Sequence, residues 1–418
     1  MKSLYSASVA RRITWTLFAA QSLGSAALIA NATVNPIISS QLNGRDELAG
    51  LPGTLLLIGA ASAAQPVGWL MQRIGRRWGL TLGFWFGAFG MVLGGLAVIN
   101  HLFLLFLLGL LLIGAARGAV DQSRYAAADA QLPTARARAI STVVFAGTIG
   151  SVIGPMLVSP SGEMMALLGF DRLAGSMWTG AILFTIAGFL IFVLLKPDPS
   201  DIARSMAAET VSGVRQPATP ARPLSQIVRL PAAQLAFAAM LFGQVVMVLV
   251  MTVTSLHMHH HQHGLNDVSF VIMAHTLGMY GLSMFSGPLV DRIGRPYTIA
   301  IGAFLLLLGS LGAPLSLRTE WLSFALFLVG LGWNFCYIAG STLLADTLLP
   351  SERSTIQGTS ELMVNLGSAT SSLSSGLILA QLGYTALGIT GAALSVLPLA
   401  LALWVGLRHA VSKPQQQH

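Results

Sequence analysis

Charged side chains are scarce in this chain. Only 9% of its 418 residues are Asp, Glu, Lys or Arg, whereas 54% are hydrophobic. A soluble domain carries much more charge on its surface, so the composition excludes one. Cysteine is scarcer still, since Cys336 is alone in the sequence. A single cysteine excludes both an intramolecular disulfide and a thiolate metal cluster.

Enzyme motifs are missing as well. The polar segments between the apolar runs are short, and they contain no nucleotide-binding motif, no nucleophile elbow and no spacing typical of catalytic metal ligands. We therefore predict a protein that is not an enzyme and that needs no cofactor.

The chain is rich instead in long apolar runs. Twelve of them have roughly 20 residues or more, enough for an α-helix to cross the ~30 Å hydrocarbon core of a bilayer. We predict an all-α membrane protein that has the lipid bilayer as a partner, with transmembrane helices over residues 13–40, 51–71, 78–100, 102–126, 139–160, 174–196, 231–256, 265–290, 298–316, 321–345, 354–380 and 383–408.

The net charge of +8 follows the predicted topology. If the N-terminus is cytoplasmic, 18 of the 23 Lys and Arg residues fall in cytoplasmic segments. This is the positive-inside distribution of membrane proteins, so the charge indicates no nucleic acid partner. Both termini are then cytoplasmic, and the segment over residues 257–264 faces the opposite side.

Two motifs occur twice at nearly the same offset. A basic loop after the second span recurs after the eighth, 219 residues later, with Arg73, Gly75 and Arg76 in one copy and Asp291, Arg292, Gly294 and Arg295 in the other. A D-x-x-x-P-x-x-R motif follows the fourth and tenth spans at an offset of 217, with Asp129 and Arg136 in one copy and Asp346 and Arg353 in the other. We predict two homologous halves and interpret these residues as parts of gates.

The repeats also give domain boundaries. We predict an N-terminal six-helix bundle over residues 1–196 and a C-terminal one over 230–410. Residues 197–229 are rich in Pro, Ala, Ser and Arg and are predicted to be a cytoplasmic linker. The polar tail over 411–418 is predicted to be disordered.

Twelve spans in two sets of six, a long linker and a G-x-x-x-D-R-x-G-R-[RK] loop present twice resemble the major facilitator superfamily over nearly the whole chain. The resemblance implies two pseudo-symmetric six-helix bundles that rock about a central site and open it to each side in turn. One position departs from the family pattern, because Gln72 stands where the first loop normally has Asp.

Soft metal ligands are concentrated in residues 240–284, which hold seven of the sixteen methionines and six of the nine histidines. Met247 and Met251 are four residues apart in the seventh span, and His275 and Met279 repeat this spacing in the eighth. Residues four apart share one face of a helix. Thioether and imidazole groups suit Cu(I), so we predict a metal site here, with helix packing of the methionines as the alternative.

The depth of these ligands can be counted from the loop between the two spans. At ~1.5 Å per residue, Met247 and His275 are predicted to share a level near the membrane centre, with Met251 above and Met279 below. An imidazole at this depth must face the bundle interior or an aqueous cavity, although a core histidine bonded to a neighbour remains an alternative. Met240 is interpreted as core.

The two motifs, in these helices and at this spacing, are similar to those of the CcoA-type copper importers. That resemblance implies copper import across the bacterial inner membrane in support of cytochrome oxidase assembly. Copper is then the substrate, and a periplasmic or cytoplasmic copper chaperone is a candidate partner.

A histidine-rich segment joins the seventh and eighth spans. Its imidazoles suit Cu(II), Zn²⁺ or Ni²⁺. Two interpretations stay open, a metal entrance and a solvated turn with incidental affinity. The segment, predicted as a polar turn, contains His257, Met258, His259, His260, His261 and His263.

Charges also occur within the fourth span. Arg117 and Asp121 are four residues apart and are predicted to form an intramembrane ion pair. The pair is interpreted as a structural lock of the N-terminal bundle or as a proton-coupling or gating pair.

Other functions were weighed against copper transport. The run over residues 150–155 resembles the glycine-proline signature of drug/proton antiporters, so a proton-coupled carrier of drugs or small organic molecules is the alternative. A metal sensor is disfavoured because the sequence shows no soluble signalling domain.

Overall fold

The structure, a computed structural model, describes residues 6–132, 135–209, 222–348 and 352–411. Within these ranges the chain is α-helical apart from short turns, and none of the described residues forms a β-strand. The predicted all-α fold is confirmed. The predicted tail over 412–418 and the middle of the predicted linker, 210–221, lie outside the described residues.

The first half of the chain folds into helices that follow the predicted spans closely. They are α1 (Ala7–Asn43), α2 (Leu51–Ile99), α3 (Phe103–Asp121), α4 (Ser123–Asp129), α5 (Arg136–Leu167), α6 (Ala174–Leu194) and α7 (Pro199–Glu209). The backbone of α2 is not helical at Gly75, so α2 consists of two helices that correspond to the second and third predicted spans.

The second half continues in the same way. Its helices are α8 (Leu224–Ile227), α9 (Pro231–Thr252), α10 (Thr254–His260), α11 (Leu265–Tyr280), α12 (Ser283–Ile293), α13 (Arg295–Gly312), α14 (Thr319–Thr347) and α15 (Arg353–Val411). α15 is interrupted at Gly383 and covers the last two predicted spans. Among the described residues, nine helical segments are long and apolar enough to cross a membrane.

The helices form two compact units. Unit 1 comprises Met1–Arg215 with Gly264–Ser269, and unit 2 comprises Gln216–His263 with Phe270–His418. The predicted linker contributes to both, because α7 packs against α2 and α4 in unit 1 while α8 lies in unit 2. Ile202 of α7 is fully buried there. The described ends of the linker are therefore packed parts of the two units.

Glycines bring α11 and α14 into direct backbone contact in unit 2. A Cβ on Gly278 would overlap the carbonyl oxygen of Phe327, and one on Gly330 would overlap that of His275. Small residues allow such close approach in membrane proteins, where van der Waals packing drives helix association. This contact positions the predicted ligands of the eighth span against α14.

The two basic loops have the same backbone conformation. Gly75 has φ 88° and ψ 166°, and Gly294 has φ 90° and ψ 155°. Only glycine adopts this region without strain. The surroundings differ, because a Cβ on Gly75 would overlap the carboxylate of Asp198, whereas one on Gly294 would meet only the Tyr297 ring, at 4.0 Å.

These geometries predict an order of stabilities. Gly294→Ala should lower the free energy of unfolding by about 1–3 kcal/mol through backbone strain. Gly75→Ala should lower it further, because its methyl group also displaces Asp198. The measurement is thermal unfolding of the purified protein in detergent. Gly147→Ala is the control, since it lies in α5 with its nearest neighbour atom 3.9 Å from the new Cβ and should be neutral or stabilising. Equal midpoints for all three variants would contradict the prediction.

Candidate functional site

The predicted methionine pair lies on α9. Met247 is 6% exposed and Met251 is partly exposed. α9 ends at Thr252, directly after this pair, and α10 begins at Thr254, so the seventh span is interrupted just beyond Met251. The two methionines thus sit in the last two turns of α9.

His275 lies on α11 and is fully buried. Its Nδ1 is 2.9 Å from the carbonyl oxygen of Leu326 on α14. A carbonyl oxygen only accepts, so Nδ1 carries the proton and the neutral ring presents its lone pair at Nε2. That Nε2 is buried and has no hydrogen-bond partner among the described residues. The ring is held in one orientation with a ligating nitrogen uncommitted.

The eighth span is interrupted directly after its motif. α11 ends at Tyr280, and α12 begins at Ser283. Asn334 of α14 bridges the gap, because its Nδ2 donates to the carbonyl oxygen of Met279 at 2.6 Å and to Ser283 Oγ at 2.9 Å. Its Oδ1 accepts from Ser286. Asn334 is 2% exposed. Ser283 Oγ also donates to the carbonyl oxygen of Met279 at 3.4 Å, so both side chains help to satisfy this buried carbonyl.

α14 provides a common scale for the heights of the ligands. α9 runs antiparallel to it, with Gly243 against Cys336. Met247 is one turn beyond Gly243, so it lies level with the position on α14 about four residues before Cys336. Met251 is two turns beyond Gly243 and lies level with the position about eight residues before Cys336.

α11 runs parallel to α14. His275 bonds to Leu326, ten residues before Cys336, and its backbone lies against Gly330, six residues before Cys336. Met279 lies against Gly330 and bonds to Asn334, two residues before Cys336. His275 is therefore about level with Met251, and Met279 with Met247.

This register corrects the predicted depths. The count from the loop put Met247 and His275 at one level, but the structure pairs His275 with Met251 and Met279 with Met247. The count assumed two continuous helices of equal inclination. Because the seventh and eighth spans are interrupted at different distances from the loop, equal residue numbers do not give equal depth.

The methionine sulfurs differ in their hydrogen bonds. The sulfur of Met240 accepts from Ser360 Oγ at 3.6 Å, and Met240 is buried in an apolar cluster. No hydrogen bond engages the sulfurs of Met247, Met251 and Met279 within the described part of the chain. Their lone pairs remain available to a soft metal, whereas Met240 belongs to the core.

The histidine-rich segment is more ordered than a polar turn. Residues His257 to His260 form the last turn of α10, so the predicted turn is limited to 261–264. The reason is local, since His261 Nδ1 donates to the carbonyl oxygen of His257 at 2.9 Å. Met258 is fully buried. None of the described residues forms a group of three or more His, Cys, Asp or Glu that could hold a metal.

His257 packs against the twelfth span. Its ring is parallel to that of Tyr384, with centroids 4.1 Å apart, and meets the edge of His261 at 4.5 Å. Tyr384 OH also forms a 2.8 Å hydrogen bond with Thr254 Oγ1. These contacts join the C-terminal end of the seventh span to α15.

The repeated basic loops form equivalent ion pairs in the two halves. Arg76 Nε is 2.9 Å from Asp129 in unit 1, and Arg295 Nε is 3.0 Å from Asp346 in unit 2. Arg295 also reaches Asp291 at 3.3 Å. Each loop arginine therefore contacts the acid of the second repeated motif in its own unit.

Among the predicted gate residues whose side chains are described, Arg73 and Arg292 take no part in these pairs. The guanidinium group of Arg73 lies 3.9 Å over the Trp69 ring, and Arg292 is exposed. The side chains of Arg136 and Arg353 lie outside the described residues, as do Pro133 and Pro350 of their motifs.

The predicted pair of Arg117 and Asp121 does not form in the structure. The described residues include no ion pair between them, and both side chains are exposed in unit 1. α3 ends at Asp121, so the acid stands at a helix end where it is not held against the arginine.

Asp198 is a functional candidate that the motifs did not reveal. Its carboxylate accepts from the backbone N–H of Arg76 at 3.1 Å and of Arg77 at 2.9 Å, at the start of the third span. It also accepts from the hydroxyl and amide of Ser200. The signal in the sequence was the missing acid at Gln72, since Asp198 brings a carboxylate to that loop from beyond the sixth span.

A second anchor missed by the motifs joins the linker to unit 2. The Arg222 guanidinium group binds both carboxylate oxygens of Glu352 at 2.8 Å, and the Arg222 N–H donates to the same carboxylate. The Glu352 side chain is 1% exposed. This hydrogen bonding raises the pKa of Arg222 above its ordinary value.

An aromatic cluster lies beside the predicted ligands in unit 2. Trp333 and Tyr337 of α14 are stacked with ring centroids 5.2 Å apart, and Tyr280 meets Trp333 edge-on at 6.0 Å. Trp333 Nε1 donates to Gln244 Oε1 of α9 at 2.6 Å. All four side chains are partly exposed. We call this set the Trp333 cluster.

Comparison with protein families gives a match along nearly the whole chain. The model described as Major Facilitator Superfamily matches residues 16–274 and 235–418. The uncharacterised MFS-type transporter YdeG of Bacillus subtilis (strain 168) is 37% identical over 408 residues, which cover 96% of this chain and 93% of the relative. The riboflavin transporter RfnT of Brucella anthropi is 29% identical over 362 residues, 86% of each chain.

Solved structures agree on the fold. The crystal structure of the nucleoside transporter NupG has a TM-score of 0.64 at 16% identity and covers 96% of this chain and 100% of its own. The human organic anion transporter MFSD10 (TETRAN) has a TM-score of 0.62 at 18% identity and covers 94% of this chain and 99% of its own. At these identities the likeness concerns the fold alone.

The contacts of Asp198 give a prediction for the loop. Asp198→Ala removes the acceptor of two helix-terminal amides and a favourable charge at that helix N-terminus, so it should lower the free energy of unfolding by about 1–2 kcal/mol. Asp201→Ala is the matched control. Among the described residues Asp201 pairs with exposed Arg204 alone, so its replacement should lower the free energy of unfolding by less than about 0.5 kcal/mol. Thermal unfolding in detergent measures both. A loss for Asp201→Ala as large as for Asp198→Ala would contradict the assignment.

Proposed function

Since this chain belongs to the Major Facilitator Superfamily, and is thus an integral membrane protein and secondary transporter, we propose that its cargo is copper. The proposed ligands are Met247 and Met251 on α9 and His275 and Met279 on α11. Copper is carried here as substrate, and the two interrupted spans present it with soft groups at two neighbouring levels.

The proposal rests on the hydrogen bonding of the two ring nitrogens of His275. Histidines that bind metals usually donate one ring N–H to a backbone carbonyl or a carboxylate, which orients the other nitrogen toward the metal. The bond from His275 Nδ1 to Leu326 and the unpartnered, buried Nε2 have this arrangement. A buried imidazole kept only for packing would be expected to satisfy both nitrogens.

The thioethers support the same cargo. The sulfurs of Met247, Met251 and Met279 make no hydrogen bonds among the described residues, and thioether ligands select Cu(I) over harder metals. Met251 and His275 form one level, and Met247 and Met279 form the next. Two such levels allow the copper ion to pass from one pair of ligands to the other. Low coordination at each level lets the carrier release its cargo.

The broken helices also fit a substrate site. Carriers often build their sites from discontinuous helices near the middle of the membrane. Here α9 ends one residue after Met251, and α11 ends one residue after Met279. The motifs and the interruptions therefore coincide in both spans.

Direction and location are part of the proposal. The distribution of Lys and Arg supports cytoplasmic termini, and the resemblance to CcoA-type importers supports inward transport across a bacterial inner membrane for cytochrome oxidase assembly. The histidine-rich segment then faces the periplasm and is proposed as the metal entrance. A copper chaperone is a candidate partner, and the loop ion pairs are proposed as gates.

Carriage of a small organic molecule is the second candidate. It is favoured by the relative named riboflavin transporter RfnT and by the Trp333 cluster. The glycine-proline run gives it less support, because a Cβ on Gly150 or Gly154 would overlap or crowd α1 at Ser25 and Ala26. Those glycines are explained by close helix packing.

Copper uptake tests the first proposal. Met247→Leu and His275→Ala should each reduce cellular copper accumulation at limiting external copper by about tenfold or more, because the site loses a ligand. Accumulation is measured by mass spectrometry of cells that contain equal amounts of each protein in the membrane.

Met240→Leu is the matched control. It removes a thioether on the same helix that is bonded to Ser360 and packed in the core, so uptake should stay near the wild-type rate. Normal accumulation by both Met247→Leu and His275→Ala would overturn the four-ligand site. If Met240→Leu reduced copper accumulation as much as Met247→Leu, the loss would be due to disturbed helix packing and not to a missing ligand.

A further inference from the structure

The Trp333 cluster lies near the middle of the seventh, eighth and tenth predicted spans. Trp333 is the central residue of α14, with fourteen residues on each side. Gln244 lies near the middle of the span Pro231–His260, and Tyr280 is the last residue before the interruption of the eighth span. Transporters of this architecture bind their cargo at this depth.

The cluster occupies the face of α14 that points away from the exposed apolar surface. Phe324 is 56% exposed and marks that surface. Trp333 follows Phe324 by nine residues, which is about two and a half helical turns and places it on the opposite side. The partly exposed rings therefore belong to the side of α14 that faces α9 and α11.

The cluster combines ring surfaces with a polar group. Trp333 and Tyr337 form a stacked pair with an interplanar angle of 20°, and Tyr280 closes one edge at 75°. Gln244 accepts from Trp333 through Oε1, and its amide nitrogen makes no hydrogen bond among the residues described here. That nitrogen remains a donor beside the rings.

We propose that the Trp333 cluster is a binding site for planar heteroaromatic molecules with a carbonyl or ring nitrogen at the edge. This rests on the second candidate function and names its site and substrate class. The cargo stacks on the exposed ring surface of Trp333 and Tyr337, while the Gln244 amide donates to its edge acceptor. Aromatic groups stack with offset or edge-on geometry, and both are available here.

The chemistry separates this site from the copper ligands. Planar heteroaromatic molecules need ring faces and hydrogen-bond donors, whereas Cu(I) needs thioethers and imidazole. His275 lies at the contact of α11 with α14 and bonds to Leu326, and it has no ring contact with the Trp333 cluster among the described residues. A molecule bound at the Trp333 cluster therefore uses none of the four proposed copper ligands.

Binding of riboflavin to the purified full-length protein tests the site. The quenching of riboflavin fluorescence is titrated in detergent, with lumiflavin and ribitol as competitors that carry only the ring system or only the sugar chain. Trp333→Leu should weaken binding by about tenfold to a hundredfold, the scale of losing one aromatic stacking partner. Lumiflavin should compete and ribitol should not.

Matched variants keep the test decisive. Phe324→Leu removes a ring from the opposite face of α14 and should bind riboflavin like the wild type. Trp333→Phe preserves a stacking ring, so it should retain much of the affinity even if Trp333→Leu lowers the thermal stability. Equal weakening by Trp333→Phe and Phe324→Leu would show a general packing effect and overturn the site.

The remaining outcomes separate the site from the function. If the wild type binds riboflavin and Trp333→Leu binds it equally well, the site is wrong and organic carriage stands. If riboflavin fluorescence is not quenched by the wild type, or is quenched without competition by lumiflavin, the proposed site is wrong and the second candidate loses the support of the Trp333 cluster.

Discussion

The polar groups exposed where α11 is interrupted must find partners inside the protein, and this constraint shapes the whole candidate site. In a membrane a backbone carbonyl cannot turn to water, so a broken helix survives only where neighbours satisfy it. Asn334 is such a neighbour, because its Nδ2 donates to the carbonyl oxygen of Met279 and to Ser283 Oγ. Because Gly278 and Gly330 allow α11 to approach α14 closely, His275 also reaches the backbone at Leu326. α14 is thus the scaffold on which the ligands of the eighth span are placed.

Much of the architecture could be predicted from the sequence because membrane helices need long apolar runs. The twelve spans and the glycine turns at Gly75 and Gly294 correspond to local patterns. The pairing of the loop arginines with Asp129 and Asp346 was not predicted, because it joins residues far apart in the chain. The domain boundaries were less accessible, because 197–229 looked like a solvated linker. Its ends pack through Ile202 and through Arg222 with Glu352, contacts between residues far apart in the chain.

The details of the site depended on contacts that no spacing reveals. The heights of Met251 and His275 follow from how α9 and α11 each meet α14, and counting from a loop cannot give that register. Arg117 and Asp121 have ideal spacing, yet both are exposed and unpaired with each other. Asp198 has no motif of its own, and its role follows from the fold, which places its carboxylate beside Gly75. In each case the sequence gives the chemical group, and tertiary packing decides whether it is used.

The way His275 is held also bears on what a carrier must do. A carboxylate partner on Nδ1 would raise the basicity of the imidazole and tighten its bond to a metal. A backbone carbonyl orients the ring while adding no net charge, so Nε2 remains a moderate ligand. Thioethers add no charge either. The proposed copper site would therefore be neutral, and a neutral site of thioethers and imidazole suits the transfer of a soft monovalent cation better than its storage.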